Sequence, residues 1–248
     1  MSTISQINSN VREQQLAGRT ALVTGSSRGI GKAIASRLAG LGAAVGLCGR
    51  DERALQATAA EMRAGGAKVH VQVADLSRSA EVAALIDATE KHLGPIAILV
   101  NNAGMGMFGA AHEKSEQDWD LLMNTNLKSV FLVSKAVAPL MIARKSGDII
   151  NISSLAGKNT FAGGALYCAS KWGLLGLTGC MAEDLRAHGI RVSAVCPGSV
   201  ATEFAGRGAK DASKVLTAED VAHAVAMIAL QGPQSFISEV HLRPVAKP

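Results

Sequence analysis

The chain has 248 residues, of which 48% are hydrophobic and 18% charged, enough for the core of one large α/β domain. Aromatic residues make up only 3%, with Ala and Gly filling in, which argues against a stacking platform for single-stranded nucleic acid. The formal net charge of +5 is scattered along the chain without a basic run, so no nucleic-acid partner and no membrane surface are expected.

Residues 1–17 are polar, rich in Ser, Asn and Gln, and lack the apolar core of a signal peptide. They are expected to form a flexible N-terminal arm ahead of one domain over 18–248. No segment approaches the run of uncharged apolar residues that a membrane span needs. A strand is expected over Thr20–Thr24 and a helix over Gly29–Gly40, joined by T-G-S-S-R-G-I-G from Thr24 to Gly31. Gly25, Gly29 and Gly31 stand where strand hands over to helix. Glycine permits a tight turn there and lets backbone N–H groups approach a pyrophosphate at the helix N-terminus. The spacing is G-x-x-x-G-x-G rather than G-x-G-x-x-G, so a glycine-rich turn without a ligand is the alternative.

A second strand over Ala44–Cys48 leads to a helix over Asp51–Gly65. At this strand tip an acidic residue would bond a ribose hydroxyl, as for NAD, whereas an Arg accommodates a 2′-phosphate. The tip reads Gly49-Arg50, and Asp51 and Glu52 fall in the first turn of the next helix. With Arg28 inside the phosphate loop, NADP(H) is the expected cofactor and NAD(H) the alternative.

A strand over Val69–Val73 and a helix over Ser79–His92 follow, then a strand over Ile96–Val100 that runs into N-N-A-G, Asn101 to Gly104. This is the carboxyl edge of the sheet, where α/β ligands bind. A long helical region over Ser115–Ala143 contains Asn126, a poor helix former whose burial there would need a purpose. The strand Asp148–Ile152 ends in N-I-S-S. A helix over Gly164–His188 carries Y-C-A-S-K, which places Tyr167 and Lys171 one turn apart on one face. The ammonium is expected to lower the phenol from about 10 towards working pH, so that it can exchange a proton in a transition state. Taken alone, the pair also describes an ordinary helix surface. Gly173, Gly176 and Gly179 recur on this helix at a cost of about 1 kcal/mol each relative to Ala, which suggests close approach of another backbone, within the subunit or across an interface.

The chain closes with a strand over Ile190–Cys196, a stretch from Gly198 to Leu216, a helix over Thr217–Leu230 and a strand over Glu239–Leu242. The strands are continuous apolar runs, as in a parallel sheet covered on both faces. Strand–helix alternation throughout predicts a doubly wound α/β fold of about seven strands with helices on both faces. Cys48, Cys168, Cys180 and Cys196 lack C-x-x-C spacing and read as buried free thiols of a reducing, cytoplasmic compartment. The histidines form no H-x-x-x-H pair, and no metal is expected.

In their order and spacing, T-G-S-S-R-G-I-G, D-L at Asp75–Leu76, N-N-A-G, Asn126, Ser154, Y-C-A-S-K and P-G-S-V-A-T (Pro197 to Thr202) resemble the motifs of the short-chain dehydrogenase/reductase family. The likeness covers nearly the whole chain, from Thr20 to about Arg243, and is to the single-domain branch that includes 3-oxoacyl-[acyl-carrier-protein] reductase-like members. It implies a Rossmann-type fold. Tyr167 would be general acid, and Lys171 would lower its pKa and bond the nicotinamide ribose. Ser154 would donate to the developing alkoxide, and Asn126 would hold a backbone-bound water that relays protons to Lys171. The thirteen-residue spacing to Tyr167 favours Ser154 over Ser153. Gly25, Ser27, Arg28, Gly29, Ile30 and Gly31 would line the phosphates and ribose, with Arg50 at the 2′-position. Asp75 and Leu76 would flank the adenine, and Asn102, Ala103 and Gly104 would border the riboses. Pro197, Gly198, Val200 and Thr202 would cover the nicotinamide. A homo-oligomer, usually a tetramer paired across the Tyr167 helix, is implied as well. The tail I-S-E-V-H-L-R-P-V-A-K-P departs from the Gly-rich ending of many relatives and leaves the C-terminal contacts open.

Met105, Met107, Phe108, Leu155, Phe161 and the loop 203–216, with Phe204, are expected to wall a substrate pocket, core packing being the alternative for each. Gly206 and Gly208 make that loop a candidate lid, and Arg207, Lys210 and Lys214 would suit an anionic carrier, acyl-carrier protein or coenzyme A. The expected activity is NADPH-dependent reduction of a carbonyl, in a 3-oxoacyl thioester or a small ketone, to an alcohol. A catalytically idle NADP-binding sensor or scaffold is the alternative.

Overall fold

In a computed structural model that describes residues 15–202 and 214–246, strands β1 (Thr20–Thr24), β2 (Ala44–Gly49), β3 (Val69–Val73), β4 (Ile96–Asn101), β5 (Gly147–Ile152), β6 (Ile190–Pro197) and β7 (Glu239–Leu242) form one sheet. Its order is β3-β2-β1-β4-β5-β6-β7 and every pairing is parallel. The chain winds outward from β1 to β3, then crosses back to β4 and winds the other way. The crevice therefore opens at the carboxyl ends of β1 and β4.

The helices are α1 (Gly29–Gly40), α2 (Glu52–Ala64), α3 (Ser79–Leu93), α4 (Glu116–Met123), α5 (Ser129–Arg144), α6 (Ala165–Arg186) and α7 (Ala218–Ala229). Alternation along the strands fills both faces. Ala21 and Val23 of β1 and Ile98 and Val100 of β4 point into a layer with Ile34 and Leu38 of α1, Leu55 of α2 and Val225 of α7. Leu22, Ile96 and Leu99 point the other way, towards Leu85 of α3, Val133 and Val137 of α5 and Leu185 of α6. Each of these Val, Leu and Ile side chains contributes roughly 1.5–3 kcal/mol on burial, so the central strands are held from both sides. The edge strands β3 and β7 are only half-buried and read V-H-V-Q-V and E-V-H-L, polar at alternate positions.

Local signals set the element ends. Asp51 accepts from the Ala54 N–H and starts α2, Ser115 and Asp118 form a capping box for α4, and Thr217 and Asp220 do the same for α7. Near the amino end of β5, opposite the crevice, the buried Asp148 carboxylate is held by Arg19 at 2.6 Å and Arg191 at 2.7 Å, a structural cluster.

The region expected to be helical over Ser115–Ala143 is helical over Glu116–Arg144, with a π-helical turn, Asn124–Lys128, between α4 and α5. Of the residues expected as an N-terminal arm, 1–14 lie outside the described residues, and Leu16 is fully buried with its N–H on the Leu41 carbonyl at 2.8 Å. Cys180 is exposed on α6, although the four cysteines carry free thiols as expected. The helical run Glu116–Arg144 is long and apolar enough to cross a membrane by length and composition alone, yet Val133, Val137 and Met141 are packed into the core against the sheet.

Candidate active site

The loop between β1 and α1 is built for close backbone approach. Gly25 has φ +65°, and a Cβ there would lie 2.7 Å from the Ala103 Cα. A Cβ on Gly31 would lie 2.2 Å from the Gly25 carbonyl oxygen and 2.5 Å from Asn102 Nδ2. Asn102 Nδ2 donates to the Thr24 and Gly25 carbonyls, both at 3.0 Å, while Thr24 Oγ1 accepts from the Asn102 and Ala103 N–H groups. Asn102 thus spends its amide on holding the loop. Thr24, which sequence reasoning passed over, is the other half of that lock. Ser26 bonds Cys48 of β2 through both its hydroxyl and its N–H.

Helix α1 starts without a side-chain cap at Arg28 and without an acidic residue in its first turn. Its first N–H groups and its positive dipole end therefore suit a phosphate. A Cβ on Gly29 would lie 3.5 Å from Thr202 Cγ2, so the P-G-S-V-A-T segment lies over this loop. Ser27 gives its carbonyl to Thr58, and Ile30 packs on the core. At the tip of β2, Arg50 is exposed next to Gly49, and Asp51 is occupied as the α2 cap. The Asp75 carboxyl lies below its usual range, first through bonds from the Ser77 N–H and hydroxyl, with the charges of Arg78 and Arg50 adding to this. Leu76 is largely buried beside it. An uncapped helix start, two arginines and no free carboxylate at the strand tip fit a dinucleotide with a phosphate on its ribose.

At the other end of the crevice, Tyr167 and Lys171 are both buried on the inner face of α6. The Ser154 hydroxyl, just past β5, bonds the Tyr167 hydroxyl and reaches the Pro197 carbonyl at 3.4 Å. Ser153 turns away, its hydroxyl on the Lys171 carbonyl and its N–H on Val195. Lys171 Nζ donates to the Ile152 carbonyl at 2.9 Å and stands 5.9 Å from the Tyr167 ring centroid. Asn126, within the π-helical turn, is fully buried. Its Oδ1 accepts from the Met105 N–H at 2.8 Å, and its Nδ2 donates to the Met105 carbonyl and to Ser170 Oγ. Gly104 sits between the two groups: a Cβ there would lie 3.3 Å from Asn126 Oδ1 and 3.8 Å from Lys171 Nζ.

The electrostatics correct one expectation. The Tyr167 phenol is not lowered towards neutral pH; burial pushes it up to about 12, against the pull of Ser154. Burial likewise brings Lys171 down to about 8. Removing either charge from water costs more than the pair regains at this separation.

Phe108 packs on Tyr167 with ring centroids 5.4 Å apart, and Phe161 on Phe108 at 6.0 Å. Met105 and Met107 line the same cluster. A Cβ on Gly198 would lie 3.2 Å from Leu155 Cδ1, and the Gly198 N–H donates to the Leu242 carbonyl. A short bridge between Val200 and Leu216 closes the ends of the loop 203–216. Phe204, Gly206, Arg207, Gly208 and Lys210 lie outside the described residues. Gly173 of α6 meets Leu127 of the same chain, while Gly176 and Gly179 face open space.

A doubly wound sheet with a phosphate-type loop at one end of its crevice and, at the other, Ser154 beside the buried Tyr167 and Lys171 defines a dinucleotide-dependent oxidoreductase. Residues 19–213 match the family model for short chain dehydrogenases, and the chain belongs to that family. It is 42% identical over 187 residues, 75% of each chain, to the (2S)-[(R)-hydroxy(phenyl)methyl]succinyl-CoA dehydrogenase subunit BbsD of Thauera aromatica. Among solved structures it is similar to a metagenomic short-chain oxidoreductase in complex with NADP, with TM-score 0.84 and 46% identity over 94% of this chain and 100% of that one. An actinorhodin polyketide ketoreductase variant with NADPH gives TM-score 0.86 and 32% identity over 93% and 97%.

Proposed function

We propose that the protein uses NADPH to reduce a ketone carbonyl to an alcohol, with Tyr167 as general acid and a 3-oxoacyl thioester or small ketone as substrate. The carrying observation is the Tyr167 hydroxyl, buried, bonded to Ser154 and kept protonated by its surroundings. The cofactor, when bound, supplies the hydride. As charge builds on the substrate oxygen, the Ser154 hydroxyl donates to it and the Tyr167 hydroxyl delivers its proton. The Lys171 ammonium stabilises the phenolate left behind. Asn126 fixes Met105 and the π-helical turn, and a water on its backbone would return a proton to Lys171. Arg28 and Arg50 would hold the ribose phosphate. The NADP complexes among the relatives support this cofactor, and the ketoreductase and the CoA-dehydrogenase relatives support the substrate class.

The test is NADPH consumption with a panel of 3-oxoacyl thioesters and simple ketones. Turnover that depends on Tyr167 is expected. Tight NADPH binding without turnover of any carbonyl would instead mark an idle sensor.

A homo-oligomer is also proposed. Leu127, Phe131 and Leu177 line an open apolar groove beside Gly173, and Phe131 and Trp172 are about half exposed. A second copy laid along α5 and α6 would cover them, a tetramer being the expected state. A monomer mass in sedimentation at micromolar concentration would contradict it. The free thiols support a reducing compartment, in keeping with a cytoplasmic protein.

A further inference from the structure

Beneath the catalytic serine, strand register gathers three side chains of different chemistry. In the parallel pair β6–β7, Cys196 stands opposite His241 and Ala194 opposite Glu239. Opposed residues in such a pair share a sheet face, and so do residues two apart in one strand. Cys196, Glu239 and His241 therefore project to one side, and their ligand atoms all lie within 4.8 Å of one another. The Cys196 sulfur is buried, whereas the Glu239 and His241 side chains are 30% and 41% exposed, so an ion can enter from the rim. Lys158 Nζ holds Glu239 Oε2 at 3.0 Å and leaves Oε1 turned towards His241 Nε2.

We propose that Cys196, Glu239 and His241 form a binding site for a divalent transition ion of the zinc type, with water as fourth ligand. A sulfur, an imidazole nitrogen and one carboxylate oxygen suit this borderline ion and not magnesium or calcium. With bonds of about 2.0–2.3 Å, tetrahedral ligand atoms stand roughly 3.3–3.8 Å apart, and small side-chain movements at the rim reach that spacing. The ion inserts between Glu239 Oε1 and His241 Nε2, the Cys196 thiol gives its proton to solvent as the metal–sulfur bond forms, and Lys158 keeps Oε2 and orients the carboxylate. The Ser154 N–H bonds the same sulfur, so the site borders the catalytic machinery.

The test is an anaerobic titration of the whole, reduced protein with cobalt(II), read by absorption. One cobalt per chain is expected, with a near-ultraviolet thiolate charge-transfer band and intense visible bands of tetrahedral geometry. Cys196→Ser should abolish the charge-transfer band. Glu239→Gln and His241→Ala, at partly exposed positions, should weaken the apparent Kd at least tenfold while circular dichroism stays unchanged, and this pair decides the matter if Cys196→Ser fails to fold. Cys180→Ser, which removes the exposed thiol, should change nothing. Absence of the bands at millimolar cobalt, bands that survive Cys196→Ser, or an unchanged Kd in both rim variants would overturn the site.

Discussion

The Lys171 ammonium stands 5.9 Å from the centroid of the Tyr167 ring and gives a hydrogen bond to the Ile152 carbonyl. The two groups are close enough to act together, yet each answers first to its own burial. Tyr167 is pushed up to about 12 and Lys171 down to about 8. With its pKa raised, the phenol carries its proton at working pH, as a donor to a carbonyl oxygen must.

The pH dependence follows from the lower of the two values. The proposed mechanism needs Tyr167 protonated and Lys171 charged. The value of kcat/KM reports the free enzyme, so it should be level through neutrality and fall above about pH 8, where Lys171 loses its proton. A rate profile measured from pH 6 to 10 checks this. In Lys171→Met the residual activity should lose that limb; an unchanged alkaline limb would assign it to another group.

Lys171 should also lower stability. Its folded pKa lies below the unfolded value of about 10.4, so the unfolded chain binds more protons between the two, and stability rises with pH across that window. A drop from 10.5 to about 8 corresponds to roughly 3 kcal/mol at neutral pH. Loss of the bond to the Ile152 carbonyl returns about 1 kcal/mol. Lys171→Met should therefore unfold at higher denaturant at pH 7, by about 2 kcal/mol, and the gain should vanish near pH 10. Urea titrations at both values measure it.

The two adjacent serines should separate cleanly. Ser154 bonds the Tyr167 hydroxyl, whereas Ser153 bonds the Lys171 and Val195 backbone. Ser154→Ala should lower kcat by roughly 10²–10³-fold, as loss of an oxyanion donor does. Ser153→Ala should keep kcat within a few-fold and lose about 1 kcal/mol of stability. Steady-state kinetics on both variants decide it.

Cofactor choice should turn on the tip of β2. A Cβ on Gly49 meets only Leu55 side-chain atoms at ordinary contact, so a side chain fits there. Gly49→Asp with Arg50→Ala removes a cation and adds a ribose-binding carboxylate. The NADPH/NADH ratio of kcat/KM should fall at least tenfold, since a hydrogen bond to a charged group contributes about 1.5–3 kcal/mol.

Much of the fold was legible because punctuation and periodicity agree. The bounds expected for β1, β3, β7 and α1 are those observed, and Asp51, expected in the first turn of α2, stands one place before it as the cap. What stayed hidden depends on contacts between distant segments. The π-helical turn has no signature of its own in the sequence; Asn126 is expected to hold a relay water, but its bonds to both backbone groups of Met105, 21 residues away, depend on tertiary contact. Thr24 was passed over because its partner Asn102 is 78 residues away. The cluster of Cys196, Glu239 and His241 has no spacing signature in the sequence, because it is assembled by the register of β6 on β7. The Tyr167 pKa was misread because helical spacing gives a distance but not a burial.

The most direct measurement is single-turnover reduction of a responsive carbonyl by NADPH in wild type and Tyr167→Phe, alongside NADPH binding. Loss of the general acid should slow the chemical step by roughly 10²–10⁴-fold, with the NADPH Kd unchanged within a few-fold, because the hydroxyl acts on the substrate oxygen. A Tyr167→Phe protein that reduces the same carbonyl at near wild-type rate would contradict the account at its centre.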